Sequence, residues 1–125
     1  VGAVIVKDGK VLCAQRGPDG NLPNKWEFPG GKIESGESPR GALEREIGEE
    51  LRCLVTVGDQ VEATTYEYDF ATITLTTFYC ELLEGDPQLT EHSEVRWCAP
   101  SSIAELDWAP ADIPAIARIQ RDLAS

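Results

Sequence analysis

Between Ser38 and Leu51 the chain carries a clear helical repeat, bounded on both sides by runs of strand-forming residues. Ser38-Pro39 offers an N-cap followed by a first-turn proline, and Ala42-Leu43, Ile47 and Leu51 recur at helical spacing. This predicts a helix from about Pro39 to Leu51. Upstream, Val1–Lys7 and Val11–Arg16 flank the pair Asp8-Gly9, a strong hairpin signal. Downstream, Val55–Tyr68 and Thr72–Leu83 are rich in Val, Thr, Tyr and Phe and read as two or three strands, with Glu94–Cys98 as a short further one. Ser101–Leu106 reads as a brief helix. Asp112–Leu123 sets Ile113, Ile116, Ile119 and Leu123 on one stripe, which predicts a terminal amphipathic helix. A chain ordered strands, helix, strands, helix is mixed α/β, with a helix on each side of a central sheet.

At 125 residues the whole chain, 1–125, is expected to form one domain. The absence of an initiator methionine suggests that a few residues precede Val1. The apolar stretch Val1–Val6 is too short for a signal-peptide core or a membrane span, so a cytoplasmic protein is expected, without membrane partners. Cys13, Cys53, Cys80 and Cys98 are widely spaced and form no CxxC pair, and His92 is the single histidine. Neither a zinc site nor a disulfide framework follows; four reduced, mostly buried thiols do. Against 22 acidic side chains stand 11 Lys plus Arg, for a formal net charge of −11. Long nucleic acid is thereby excluded as a partner, since that affinity needs basic patches. An acidic protein acting on an anionic nucleotide needs an intermediary charge, and a carboxylate-held divalent cation supplies one.

The predicted helix carries such carboxylates. Glu46, Glu49 and Glu50 stand at i, i+3 and i+4, within an arc of about 100° on one face. Like charges at i,i+4 cost a helix about 0.2–0.5 kcal/mol, a term that a bound cation would reverse. A solvated acidic face is the competing reading, because Glu favours helices wherever it falls. Two features favour a cation. The apolar face of Leu43, Ile47 and Leu51 abuts the carboxylates, which sets them at the edge of the core. The loop from Gly17 to Gly31, long, irregular and rich in Gly, Pro and Asn, ends in Phe28-Pro29-Gly30-Gly31-Lys32, where paired glycines let backbone approach a ligand closely.

Gly31, Glu37, Arg45, Glu46, Ile47, Glu49 and Glu50 stand at the spacing G-x5-E-x7-R-E-U-x-E-E, where U is aliphatic. This resembles the Nudix box, G-x5-E-x7-R-E-U-x-E-E-x-G-U, with every charge-bearing position present. Two positions depart from it. Arg52 stands at the second glycine, and if that position needs a positive φ the substitution costs about 1–2 kcal/mol. Cys53 replaces the last aliphatic and is a small hydrophobe. Outside the box, Gln15-Arg16, Trp26–Lys32, Trp97-Cys98 and Ala109–Asp112 are similar to the MutT-type and CTP pyrophosphohydrolase-type members.

The resemblance implies an α/β/α sandwich, a central mixed sheet flanked by the Nudix helix and a C-terminal helix. It implies Mg²⁺, or Mn²⁺ in its place, held by Glu46, Glu49 and Glu50 with a carbonyl of Gly30 or Gly31. Arg45 would orient a glutamate, through Glu37 or Glu49, and its competing reading is an exposed i,i+4 partner of Glu49. Either Glu49 or Glu91, the latter in a loop with Glu94 as its competitor, would be the general base. Arg16, Phe28, Gly30, Gly31, Lys32 and Asp112 would contact the substrate. Asp112 would read the base, unless it only caps the helix before Pro114. Phe78 and Tyr79 alternate on a strand, where core packing is favoured over base stacking, and His92 reads as a surface residue. The implied reaction is NTP + H₂O → NMP + pyrophosphate, on CTP, dCTP or a modified cytosine nucleotide, with 8-oxo-dGTP as the alternative. A non-catalytic nucleotide-sensing module is the rival of another class, but such modules tend to lose the box carboxylates. The molecule would be a monomer or homodimer.

Overall fold

In the computed structural model, which describes residues 1–88 and 92–123, the strands are β1 (Gly2–Lys7), β2 (Lys10–Gln15), β3 (Trp26–Glu27), β4 (Leu54–Glu67), β5 (Thr72–Glu84) and β6 (Glu94–Cys98). The helices are α1 (Pro39–Leu51) and α2 (Ile113–Asp122), with short 3₁₀ turns at Ile103–Glu105 and Pro110–Asp112. The sheet runs β3-β2-β1-β5-β4, and β6 also pairs with β2. Among the described strands only the β1–β5 pairing is parallel, so the sheet is mixed.

Local chemistry accounts for these elements. Asp8 and Gly9 both take positive φ, the backbone of a two-residue hairpin turn whose twist matches its strands. Ser38 caps α1 by accepting a hydrogen bond from the Gly41 N–H at 3.0 Å, and Pro39 follows at the first turn. Arg52 ends α1 in the left-handed region at φ 56°, the conformation for which the box glycine is suited. Of the two or three strands expected between Val55 and Leu83, two form: β4 and β5 make one long hairpin. The predicted helix at Ser101–Leu106 shrinks to a single 3₁₀ turn.

Side chains alternate across β1. Ala3 and Ile5 join Leu43, Ile47 and Leu51 of α1 in one core; Val4 faces the other, with Ile116 and Ile119 of α2. Register shifts between Val57 and Glu62 turn β4 about its axis, so that Val55 packs under α1 and Val61 under α2. All four cysteines are free and buried. On α2 the expected stripe holds at Ile116 and Ile119, which are buried, but Ile113 is 52% exposed, and Asp112 and Ala115 are buried beside them. No described helix is long and apolar enough to cross a membrane.

Candidate functional site

The chain leaves β3 through Phe28-Pro29 and lies across the start of β1, where Gly30 pairs with Gly2 in an isolated bridge. A Cβ on Gly30 would run into the Val1 carbonyl, and one on Gly31 into the Glu46 carboxylate. The glycine pair is therefore a steric requirement: it lets the loop lie against β1 on one side and receive a glutamate of α1 on the other. Gly31 is fixed by both its backbone groups, its N–H donating to the Val1 carbonyl at 3.1 Å and its carbonyl accepting from the Val1 nitrogen at 2.8 Å.

Arg45 binds the loop to the helix. Its Nε and Nη2 fork onto the Glu37 carboxylate at 2.8 and 2.9 Å, Nη1 reaches Glu46 at 2.9 Å and Glu49 at 3.3 Å, and Nη2 also donates to the Lys32 carbonyl at 3.1 Å. The Glu37 carboxyl also accepts the Glu34 N–H at 2.9 Å. The Arg45 hydrogen bonds first, then that backbone donor, hold the Glu37 carboxyl down at about 2. The two readings of Arg45 thus merge, since it holds Glu37 and Glu49 together; its bond to the adjacent Glu46 was not expected.

The three helix carboxylates share a face but are differently placed. Glu46 rests on Gly31 and Arg45, Glu49 is 63% exposed, and Glu50 lines a cleft of about 760 Å³. Among the described residues no three acidic, histidine or cysteine side chains are gathered into a ready-made metal cage. The guanidinium of Arg45 is ion-paired with Glu46 at 2.9 Å and with Glu49 at 3.3 Å.

The same cleft is lined by Arg16, Phe28, Gly30, Gly31, Lys32 and Asp112, the substrate-contacting residues expected from the sequence. Asp112 is 5% exposed and makes no side-chain cap to α2, although it stands at the N-cap position. Burial, and then the neighbouring charge of Glu27, push its carboxyl well above the usual range, against the backbone N–H of Phe28, which favours the ionised form. Phe28 packs against Trp108, with ring centroids 4.7 Å apart and the planes tilted by 35°. Neither Phe78, buried under Arg40, nor Tyr79, whose hydroxyl meets Asp122 at 2.7 Å, lines the cleft.

Several cleft residues had no role from sequence. Glu27 bridges Arg16 at 2.8 Å and His92 at 2.9 Å; burial opposes its ionisation, but the hydrogen bonds from His92 and Arg16 outweigh that and keep its carboxyl low. His92 is not on the surface: its side chain is 5% exposed and turned to Glu27. The signal was a charged residue between Trp26 and Phe28, both buried. Tyr68, Ile73 and Leu75, from the β4–β5 hairpin, complete an apolar wall. Glu94 pairs with Arg96 at 2.8 Å and does not line the cleft. Glu91 lies outside the described residues.

A family model for the NUDIX domain matches residues 1–119. The chain is 41% identical over 114 residues to the Escherichia coli CTP pyrophosphohydrolase, covering 91% of this chain and 84% of that protein. It is 34% identical over 121 residues to the E. coli 8-oxo-dGTP diphosphatase, covering 97% and 94%. The solution structure of a MutT protein from methicillin-resistant Staphylococcus aureus 252 superposes with a TM-score of 0.79 at 49% identity, over 97% of this chain and 93% of that one. With the box residues joined through Arg45 and a glycine turn seated against its acidic helix, this chain belongs to the Nudix hydrolase family.

Proposed function

We propose that the protein is a Mg²⁺-dependent pyrophosphohydrolase that converts a nucleoside triphosphate and water to the monophosphate and pyrophosphate, with CTP, dCTP or a modified cytosine nucleotide as substrate. The observation that carries this reading is a single cleft lined by the glycine turn, by Glu50 of the acidic helix and by the buried Asp112. Polyphosphate beside the helix and base beside Asp112 would fill it, and its volume lies in the range of small-molecule sites.

Nudix hydrolases generally work with divalent metal ions, and the donors here suit one. Glu46, Glu49 and Glu50 with a Gly30 or Gly31 carbonyl are hard oxygens, and Gly31 has no Cβ to keep the Glu46 carboxylate away from its backbone. Bound there, Mg²⁺ would supply neutralisation of phosphate charge and acidification of a water. Arg45 keeps Glu46 and Glu49 aligned against the loop. Glu49 or Glu91 takes the proton of the attacking water. Lys32 and Arg16 balance charge on the phosphates, and Arg16 is itself held by Glu27.

A protonated Asp112 carboxyl, the form that its burial favours, would offer one donor and one acceptor, which fits the N3 acceptor and N4 amino donor of cytosine. The same pair fits the N1–H and O6 of an oxidised guanine, so 8-oxo-dGTP is the second reading, favoured by the name of the second E. coli relative. Pyrophosphate and monophosphate release, measured across canonical and damaged nucleotides with and without Mg²⁺, tests both. The proposal predicts metal-dependent release of both products, fastest from a cytosine nucleotide; a preference for 8-oxo-dGTP would replace it with the second reading, and no turnover would reject both.

A further inference from the structure

The turn that carries Asp112 is held from two sides. On one side β3 grips it: the Trp26 N–H donates to the Asp107 carbonyl and the Ala109 N–H to the Trp26 carbonyl, both at 2.8 Å. On the other side, nearer Asp112, the Ala111 N–H donates to the Tyr68 hydroxyl at 2.8 Å. Ala111 is buried, and its N–H stands near the start of a 3₁₀ turn, where the turn itself supplies no acceptor.

Tyr68 comes from the far hairpin. Its N–H closes the β4–β5 turn on the Ala71 carbonyl at 2.9 Å. Its ring sits in a ladder, 4.6 Å from Tyr66 and 5.1 Å from Phe70, nearly parallel to the latter. A phenylalanine would fill that ladder equally well, so the hydroxyl needs a separate account. Tyr68 and Asp112 line the same cleft.

We infer that Tyr68 is a positioning residue for base selection: its hydroxyl latches the Asp112 turn to the β4–β5 hairpin and sets where that carboxyl meets the nucleobase. The inference rests on the proposed function, because it assigns a role at the base end of that site. The β3 tether keeps the turn folded without the latch, so losing the hydroxyl should loosen Asp112 while leaving the phosphate end intact.

The test is Tyr68→Phe, assayed with the nucleotide panel under Mg²⁺, beside Tyr66→Phe as a control that removes a hydroxyl with no bond to Ala111. The latch predicts that kcat/KM on the preferred nucleotide falls about fivefold, the factor one hydrogen bond commonly supplies, and that the loss is in KM. The preference over the second-best base should shrink by a similar factor, and Tyr66→Phe should match the parent. In an Asp112→Asn background Tyr68→Phe should have no further effect on preference, since two residues acting through one contact are not additive. The inference is overturned if Tyr68→Phe keeps the parental preference, if it shifts preference equally with and without Asp112, or if the parent hydrolyses all bases alike. A parent inactive on every nucleotide overturns the proposed function itself, an outcome distinct from these.

Discussion

Replacing Gly31 by alanine directs a methyl group at the Glu46 carboxylate. A Cβ built there comes closer to all three carboxyl atoms than real Cβ contacts come, with Oε1 at 2.7 Å. Either the carboxylate moves or the loop does. If the carboxylate moves, it gives up the 2.9 Å ion pair with Arg45. If the loop moves, overpacking costs about 1–3 kcal/mol and strains the Gly31–Val1 hydrogen bonds. The expected loss is about 1–3 kcal/mol, a fall in Tm of about 4–11 °C for a chain of this size. Urea unfolding and thermal melts read the stability, and Mg²⁺ titration of pyrophosphate release reads the site, where the half-saturating concentration should rise about tenfold or more. The decisive comparison is the same change in a Glu46→Ala background. With the carboxylate gone the methyl has room, so the cost of Gly31→Ala should drop below about 0.5 kcal/mol. An equal cost in both backgrounds, or no cost in either, would refute the steric account of this glycine.

Arg52→Gly should stabilise the protein by about 0.5–1 kcal/mol, because the left-handed conformation at φ 56° penalises a side chain by more than glycine loses in unfolded-state entropy; a lower Tm would count against it. Glu49→Gln should lower kcat about a hundredfold or more while the melting temperature holds, since the side chain is 63% exposed; retained turnover removes Glu49 from the chemistry. Asp112→Asn should alter the pH dependence of stability. The folded carboxyl binds its proton more tightly than the unfolded one, so between the ordinary 3.8 and the raised folded value the unfolded state sheds a proton that the folded state keeps. Wild-type stability therefore falls as pH rises through that window, by up to about 1.4 kcal/mol per unit, relative to the Asn variant. Parallel stability curves for the two proteins from pH 4 to 8 would contradict this.

Much of the fold was legible because it is written in local terms. Ser38-Pro39 and the Ala42–Leu51 repeat predicted α1 at the bounds observed, and Asp8-Gly9 predicted its hairpin, since capping, helical period and turn chemistry each depend on neighbours only a few residues apart. The box spacing pointed to the family, and the resemblance implied that Arg45 would meet Glu37 or Glu49 and that the glycine pair would lie beside the helix carboxylates. What the chain alone could not decide depends on partners far away in sequence. His92 reads as a surface histidine until β6 sets it against Glu27, 65 residues earlier. Ile113 has the spacing of a buried residue, yet the segment enters α2 turned so that Asp112 takes the buried position. The bulges in β4 that send Val55 and Val61 into opposite cores leave no mark on a simple alternation. Nor could the sequence say that the Glu46 carboxylate packs on Gly31, or that Tyr68 reaches Ala111. Periodicity records which side of an element is apolar, but the rotation of that element in the packed molecule, and so what each polar side chain touches, is set only when the layers come together.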